Sequence, residues 1–239
     1  MPIEKFDTVK FEAYLASLAA KDHHKVKSIE SKGMSIAEAD PFSAMFECAS
    51  LGISMTEWLN TYESRRLRQK TLQNHIGKLH EVAISCFPGW QLSESTADVE
   101  NTEKQIVAEI KNKHNTMNSS SALATYRKLE QLVDGAYEGY QSYVVQIIPK
   151  PTAAPYRTNF TPSDSSKKQA KNSPSRDDIK VIDGESFYAM VNGGDTNTIT
   201  EVYKVMMDCL RKLYGQQADH VTKDSTSLEF IDAIRPSLR

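Results

Sequence analysis

The stretch IVAEIKNKHNT, Ile106 to Thr116, sets an acid and a base, Glu109 and Lys111, on either side of one isoleucine inside a run that otherwise reads as a buried strand. Side chains alternate along a strand, so Ile106, Ala108 and Ile110 share one face and Val107, Glu109 and Lys111 the other, with Glu109 and Lys111 about 7 Å apart. One side is core, and the pair lies on the opposite side. Upstream, QLSESTADVENTEK reads as a strand around residues 96–100 followed by a polar turn near Asn101 to Lys104. The resulting hairpin brings Asp98 alongside Glu109.

Two carboxylates converging from adjacent strands disfavour joint ionisation unless a cation sits between them. Mg²⁺ meets that need: it takes one or two carboxylates, keeps several waters and accepts phosphate oxygens in its remaining positions. A lysine two residues on can hold an attacking water and offset charge growing on phosphoryl oxygens. Asp98 and Glu109 are thus candidate metal ligands, Lys111 a candidate catalytic lysine, and Glu81 on the preceding helix a further acid within reach.

Working outward, the first half of the chain is mostly helical. Asp40 as N-cap, Pro41 at the first helical position and Gly52 as a stop bound one helix, and Ser54 with Glu57 forms a capping box that opens a long pattern running to about Phe87, where Pro88 and Gly89 end it. Within it Leu72, Ile76, Leu79, Ala83 and Cys86 form an apolar stripe. Gly77 reads either as a close backbone approach or as a tolerated surface glycine. After the hairpin, serines 119 to 121 cap ALATYRKLEQLVDGAY, and SYVVQIIPK is another strand. This order predicts an α/β or α+β fold, a mixed sheet with helical cover. Residues 151–178, rich in Pro, Ser, Asn and Lys, read as a long basic loop whose Arg157, Lys167, Lys168, Lys171 and Arg176 could order on a phosphate backbone. Beyond it IKVIDGESFYAMVNG resumes the pattern, and Thr198 with Glu201 makes a second capping box. A single domain is expected: a helical N-terminal region over residues 1–87, a sheet core 90–150, the loop 151–178 and C-terminal helices 184–239.

Composition narrows the classes. The 239 residues suffice for a substantial core, and 25% charged residues with a mean hydropathy of -0.50 fit a water-soluble chain with some irregular segments. No signal peptide or apolar span is legible, and Cys48, Cys86 and Cys209 sit in apolar helical patterns as buried free thiols, so a cytoplasmic protein is expected. A net charge of -2 gives no global sign of a polyanion partner, but clustered carboxylates mask local basic groups. His75 and His80 lie about 140° apart around a helix and do not share a metal. Arg65, Arg66, Arg68 and Lys70 read as a solvated face or a phosphate clamp.

The order of an acid, a second acid, one residue and a lysine is the PD-(D/E)xK pattern, with Ala97 at the proline position. NHIGKLHEVAISCFPGW, ADVENTEKQIVAEIKNKHNTMNSSS and IDGESFYAMVNG together resemble type II restriction endonucleases of that superfamily, most closely those cutting GGNCC or GGWCC sites. The resemblance spans roughly Gln73 to Gly193. It implies the nuclease-type central sheet, Asp98 and Glu109 on Mg²⁺, Lys111 serving the attacking water and Glu81 as an outer acid. It also implies cleavage of both strands of a palindromic DNA site to 5′-phosphate ends, and pairing with a cognate DNA methyltransferase. A two-fold site is met most simply by a homodimer. Base and phosphate contacts are expected from the segment leaving the catalytic strand and reaching a helix start, Asn112, Lys113, His114, Asn115, Asn118 and Ser119, joined by Arg157, Lys167 and Lys168. Two alternatives remain at this point: a structure-selective repair or recombination nuclease, and a non-catalytic binding module in which the acid and lysine form a structural ion pair.

Overall fold

The computed structural model describes residues 3, 5–32, 40–162 and 173–238. Its contacts group into two compact units, Leu15–Ile76 and Met1–Tyr14 with Gly77–Arg239, so the chain passes from one to the other within two helices, α1 (Thr8–Lys32) and α4 (Ser64–Ile84).

The first unit is helical. Asp40 accepts a hydrogen bond from the Phe42 N–H at 3.0 Å and Pro41 opens α2 (Pro41–Leu51), which ends at Gly52 in the left-handed region, φ 67°. Ser54 accepts from the Glu57 N–H at 3.1 Å and starts α3 (Met55–Trp58). A π turn over Leu59–Glu63 then joins α3 directly to α4, so the long helical pattern forms with one change of hydrogen-bond register and stops at Ile84. Ala44, Cys48 and Trp58 pack with Ile53 and Leu59.

The second unit carries a six-stranded mixed sheet, β1 (Gln91–Leu92), β2 (Val99–Asn101), β3 (Ile106–Lys113), β4 (Gln141–Ile148), β5 (Arg157–Asn159) and β6 (Ile179–Asp183), in the order β1-β2-β3-β4-β6-β5. β3, β4 and β6 run parallel, and the outer pairs are antiparallel. A parallel step needs a crossover, which α5 (Ser119–Val133) supplies between β3 and β4. Tyr126, Leu129, Leu132 and Val133 of α5 pack on Val107, Val144 and Ile179. On the other side Phe187 of α6 (Gly184–Val191) meets Trp90 and Tyr143 edge to face. Both faces are therefore core. The expectation of a single core face on β3 is corrected on this point: parallel strands carry helices on both sides, and Ile106 through Ile110 are all buried.

Other expectations shift locally. The first hairpin strand is shorter, Val99–Asn101, and the turn extends to Gln105, whose φ of 51° closes it while Asn101 Oδ1 accepts from the Lys104 N–H at 2.8 Å. The segment 151–178 is not loop throughout, since Arg157–Asn159 takes its register from β6; composition hides so short an edge strand. Arg176 is held by Asp134 and Asp178 at 2.8 and 2.7 Å. Asn118, not the serines, caps α5: its Oδ1 accepts from the Ser121 N–H at 2.8 Å. The second capping box does not form, because the Thr198 hydroxyl donates to the Asp195 carbonyl at 2.6 Å and Glu201 pairs with Lys204 at α7 (Thr198–Tyr214). Of the apolar stripe on α4 and the turn after it, Leu79, Ala83 and Cys86 are buried, whereas Leu72 is exposed. A Cβ built at Gly77 meets nothing within 4 Å, as for a surface glycine. The three cysteines are buried and free. Among the described residues no helix is long and apolar enough to cross a membrane.

Candidate active site

The site forms where the β2–β3 hairpin loses its regular ladder. Asp98 precedes β2, and its Oδ2, instead of a main-chain carbonyl, accepts the Ile110 N–H at 2.6 Å. Hydroxyls support this departure from the ladder: Ser93 Oγ accepts from the Ser95 N–H at 3.1 Å and Ser95 Oγ from the Ala97 N–H at 3.2 Å. The Asp98 carboxylate is thereby pinned across Ile110, between the two residues that matter on β3.

Glu109 is buried on the α5 side of the sheet, the face it shares with Val107. Its two oxygens are held by different lysines, Oε1 by Lys111 at 2.7 Å and Oε2 by Lys128 at 2.5 Å. Lys128 escaped the sequence reading. It lies on α5 at the flank of the Tyr126–Leu129–Leu132 core face, 19 residues from Glu109, and only the crossover brings it back. Periodicity shows that it borders the core and says nothing of its partner.

Glu81 comes from α4, paired with Lys78 one turn earlier. Burial raises its pKa, with the Asp98 and Glu109 charges adding to the rise and Lys78 opposing it. Asp98 is raised in turn by burial and then by the Glu109 charge, against the Ile110 N–H, Lys128 and Lys111. Three carboxylates thus lie within electrostatic reach of one another, with Lys111 bonded to one of them.

These groups fit a hard divalent cation as a donor set. Asp98 and Glu109 offer oxygen ligands, repel each other's charge and are partly or wholly withdrawn from solvent. Among the described residues no group of three or more His, Cys, Asp and Glu side chains is arranged to hold a metal ion.

Other acids nearby are fully used. Glu100, buried on β2, accepts from Tyr137, from Ser93 at 2.7 Å and from Gln91 at 2.7 Å. Burial raises its pKa, but those donors outweigh burial and leave it lowered, as in a structural carboxylate. His80 donates to or accepts from the Tyr188 hydroxyl at 3.1 Å, and burial pushes its pKa down to about 4; it stands apart from any ligand set.

The proposed DNA-facing residues divide into groups. Asn112, Lys113, His114, Asn115, Asn118 and Ser119 form one continuous segment from the end of β3 to the start of α5, with Lys113, Asn115, Asn118 and Ser119 exposed. The His114 N–H extends the ladder to the Ile148 carbonyl at 3.0 Å, and its Nδ1 is buried without a partner among the described residues. Arg157 is elsewhere. Its register partner Ile182 aligns with Val145 and Ile110, so it occupies the face opposite Glu109, three strands away, with its guanidinium over the Tyr143 ring and bonded to that hydroxyl. Lys167, Lys168 and Lys171 lie outside the described residues.

Sequence comparison agrees with the geometry. The family model of the Eco47II restriction endonuclease matches residues 6–214. The type II restriction enzyme Eco47II of Escherichia coli is 37% identical over 175 residues, 71% of each chain. The type II restriction enzyme Sau96I of Staphylococcus aureus is 27% identical over 159 residues, 64% of this chain and 59% of its own. With a mixed nuclease-type sheet and paired acids beside a lysine, the chain belongs to the Eco47II restriction endonuclease family and is a type II site-specific deoxyribonuclease.

Proposed function

We propose that this enzyme cuts both strands of a short palindromic duplex of the GGNCC or GGWCC type, using Mg²⁺ and leaving 5′-phosphate ends. Members of its class use a divalent metal; the choice of Mg²⁺ follows from carboxylate-only ligands and a phosphate substrate. The observation that carries the reading is the convergence of Asp98 and Glu109 on one flank of Ile110, with Lys111 bonded to Glu109. When bound, the metal would polarise the phosphoryl oxygens and favour a deprotonated water. Asp98 and Glu109 would hold it, and Glu81 would orient water at its outer side.

Lys111, exchanging Glu109 Oε1 for solvent or substrate, would hold the attacking water in line and donate to the phosphoryl oxygen that gains charge. The segment Asn112 to Ser119 would read base edges and phosphate, because it leads from the catalytic strand to the N-terminus of α5, where main-chain N–H groups are presented. A two-fold target asks for a two-fold enzyme, so the whole chain acts as one endonuclease domain in a homodimer. The protein works in the cytoplasm beside a methyltransferase that protects the host sites.

The test is digestion of plasmid DNA with Mg²⁺, followed by sequencing of the ends. Discrete fragments ending within GGNCC or GGWCC support the proposal, and fragments at any other sequence refute the specificity. Lys111→Met should lower the cleavage rate by about 10²-fold or more while leaving duplex binding intact. Sedimentation of the free enzyme should give twice the chain mass.

A further inference from the structure

Lys128 has no part in the acid, acid, lysine pattern, yet it pairs with Glu109 Oε2 while Lys111 holds Oε1. It reaches the site from α5, an element fixed by four core side chains, so its approach is set by helix packing and not by the strand that carries Glu109. Its charge also bears on Asp98, as does that of Lys111. Three acids, Asp98, Glu109 and Glu81, therefore face three ammonium groups, Lys111, Lys128 and Lys78.

We infer that Lys128 is a positioning residue that fixes the Glu109 carboxylate and, by offsetting its charge, keeps the affinity of the DNA-free enzyme for divalent cations low. The inference rests on the nuclease reading of Asp98 and Glu109. Each oxygen of Glu109 has an ammonium partner, so a cation approaching that carboxylate meets two fixed positive charges. Lys111 has a place in the chemistry; Lys128 acts on the site through Glu109. A DNA phosphate arriving beside α5 would draw the Lys128 ammonium toward itself and free Oε2, so the site gains its metal when substrate is present.

The test is Mn²⁺ binding by DNA-free protein, with free Mn²⁺ counted by electron paramagnetic resonance. Lys128→Met should bind Mn²⁺ on the order of tenfold more tightly than the parent, the scale of removing one partly screened unit charge beside a divalent ion. The Mg²⁺ concentration at half-maximal cleavage should fall with it. Lys128→Arg, which keeps the charge, should behave as the parent, and Lys128→Gln repeats the comparison if the methionine variant misfolds. A merely structural lysine gives unchanged or weaker Mn²⁺ binding on removal, and that result, with binding lost in Glu109→Gln, overturns the role of Lys128 alone. Equal Mn²⁺ binding by Lys128→Met and by the double variant Lys128→Met/Glu109→Gln overturns the metal site and the inference together.

Discussion

Replacing Asp98 by asparagine should make the protein more stable and inactive at once. Asp98 Oδ2 accepts the Ile110 N–H, a contact that the asparagine oxygen reproduces, while the charge facing Glu109 and Glu81 disappears. The gain at neutral pH should be about 1 kcal/mol, the size of one partly screened like-charge interaction after the lysines are allowed for. The pH dependence fixes the cause. Burial and the Glu109 charge raise the Asp98 pKa in the folded protein, so its ionised form opposes folding. That opposition is absent below the unfolded carboxylate pKa of about 3.9, grows as pH rises toward the folded value and is constant above it. The stability difference between Asp98→Asn and parent should follow the same course.

Asp98→Ala serves as the contrast, because it strands the Ile110 N–H at a cost of about 1–3 kcal/mol, felt in full in acid and offset by about 1 kcal/mol at neutral pH, where the same charge is removed. Urea unfolding followed by tryptophan fluorescence measures both variants. The chain has two tryptophans, Trp58 in the helical unit and Trp90 against Phe187 in the sheet unit, so a Trp58→Phe background reports on the unit that holds the site. A stability loss in Asp98→Asn, or a gain independent of pH between 4 and 7, would refute the electrostatic account of the site.

Gly184→Ala should destabilise by about 3 kcal/mol or misfold, since a Cβ there would lie 2.4 Å from the Ile147 carbonyl oxygen, a backbone atom that cannot move aside; thermal unfolding decides. Arg235→Met should cost about 3–5 kcal/mol, because Glu185 is buried and loses the Arg235 Nε–H at 2.7 Å. Burial alone would raise the Glu185 pKa, but Ser237 and Arg235 lower it, so the pair stabilises above the unfolded carboxylate pKa and that contribution fades as pH falls through the folded value. The penalty of Arg235→Met should therefore shrink in acid urea titrations. Asn118→Ala should cost about 1 kcal/mol by removing the cap on Ser121, and it should also weaken duplex binding if this helix start meets phosphate. Unchanged binding in a folded variant would place the DNA contact elsewhere.

The acid–lysine pair of the candidate site was legible because its spacing is local. Alternation places Glu109 and Lys111 on one face, and a tight hairpin brings β2, which Asp98 immediately precedes, against β3 with few residues between. Glu81 was reached only by helix phase; burial, with the Asp98 and Glu109 charges adding, raises its pKa. The double burial of β3 was not readable from the strand alone, since whether the face bearing Val107 meets a helix depends on the parallel pairing with β4. The edge strand carrying Arg157 was hidden for a similar reason: a basic residue in a proline-rich stretch gives no sign of the pairing that fixes its face.

From the residues themselves came the hairpin, the apolar stripes, most of the helix ends and the acids beside a lysine, because those depend on φ, ψ and on neighbours a few positions apart. Tertiary structure alone decided which second lysine holds Glu109, how Asp98 substitutes for a ladder carbonyl, and which basic residues share a face with the site. Such contacts join segments whose separation along the chain carries no period. Only the packing of α5 and the strand register bring them within bonding distance.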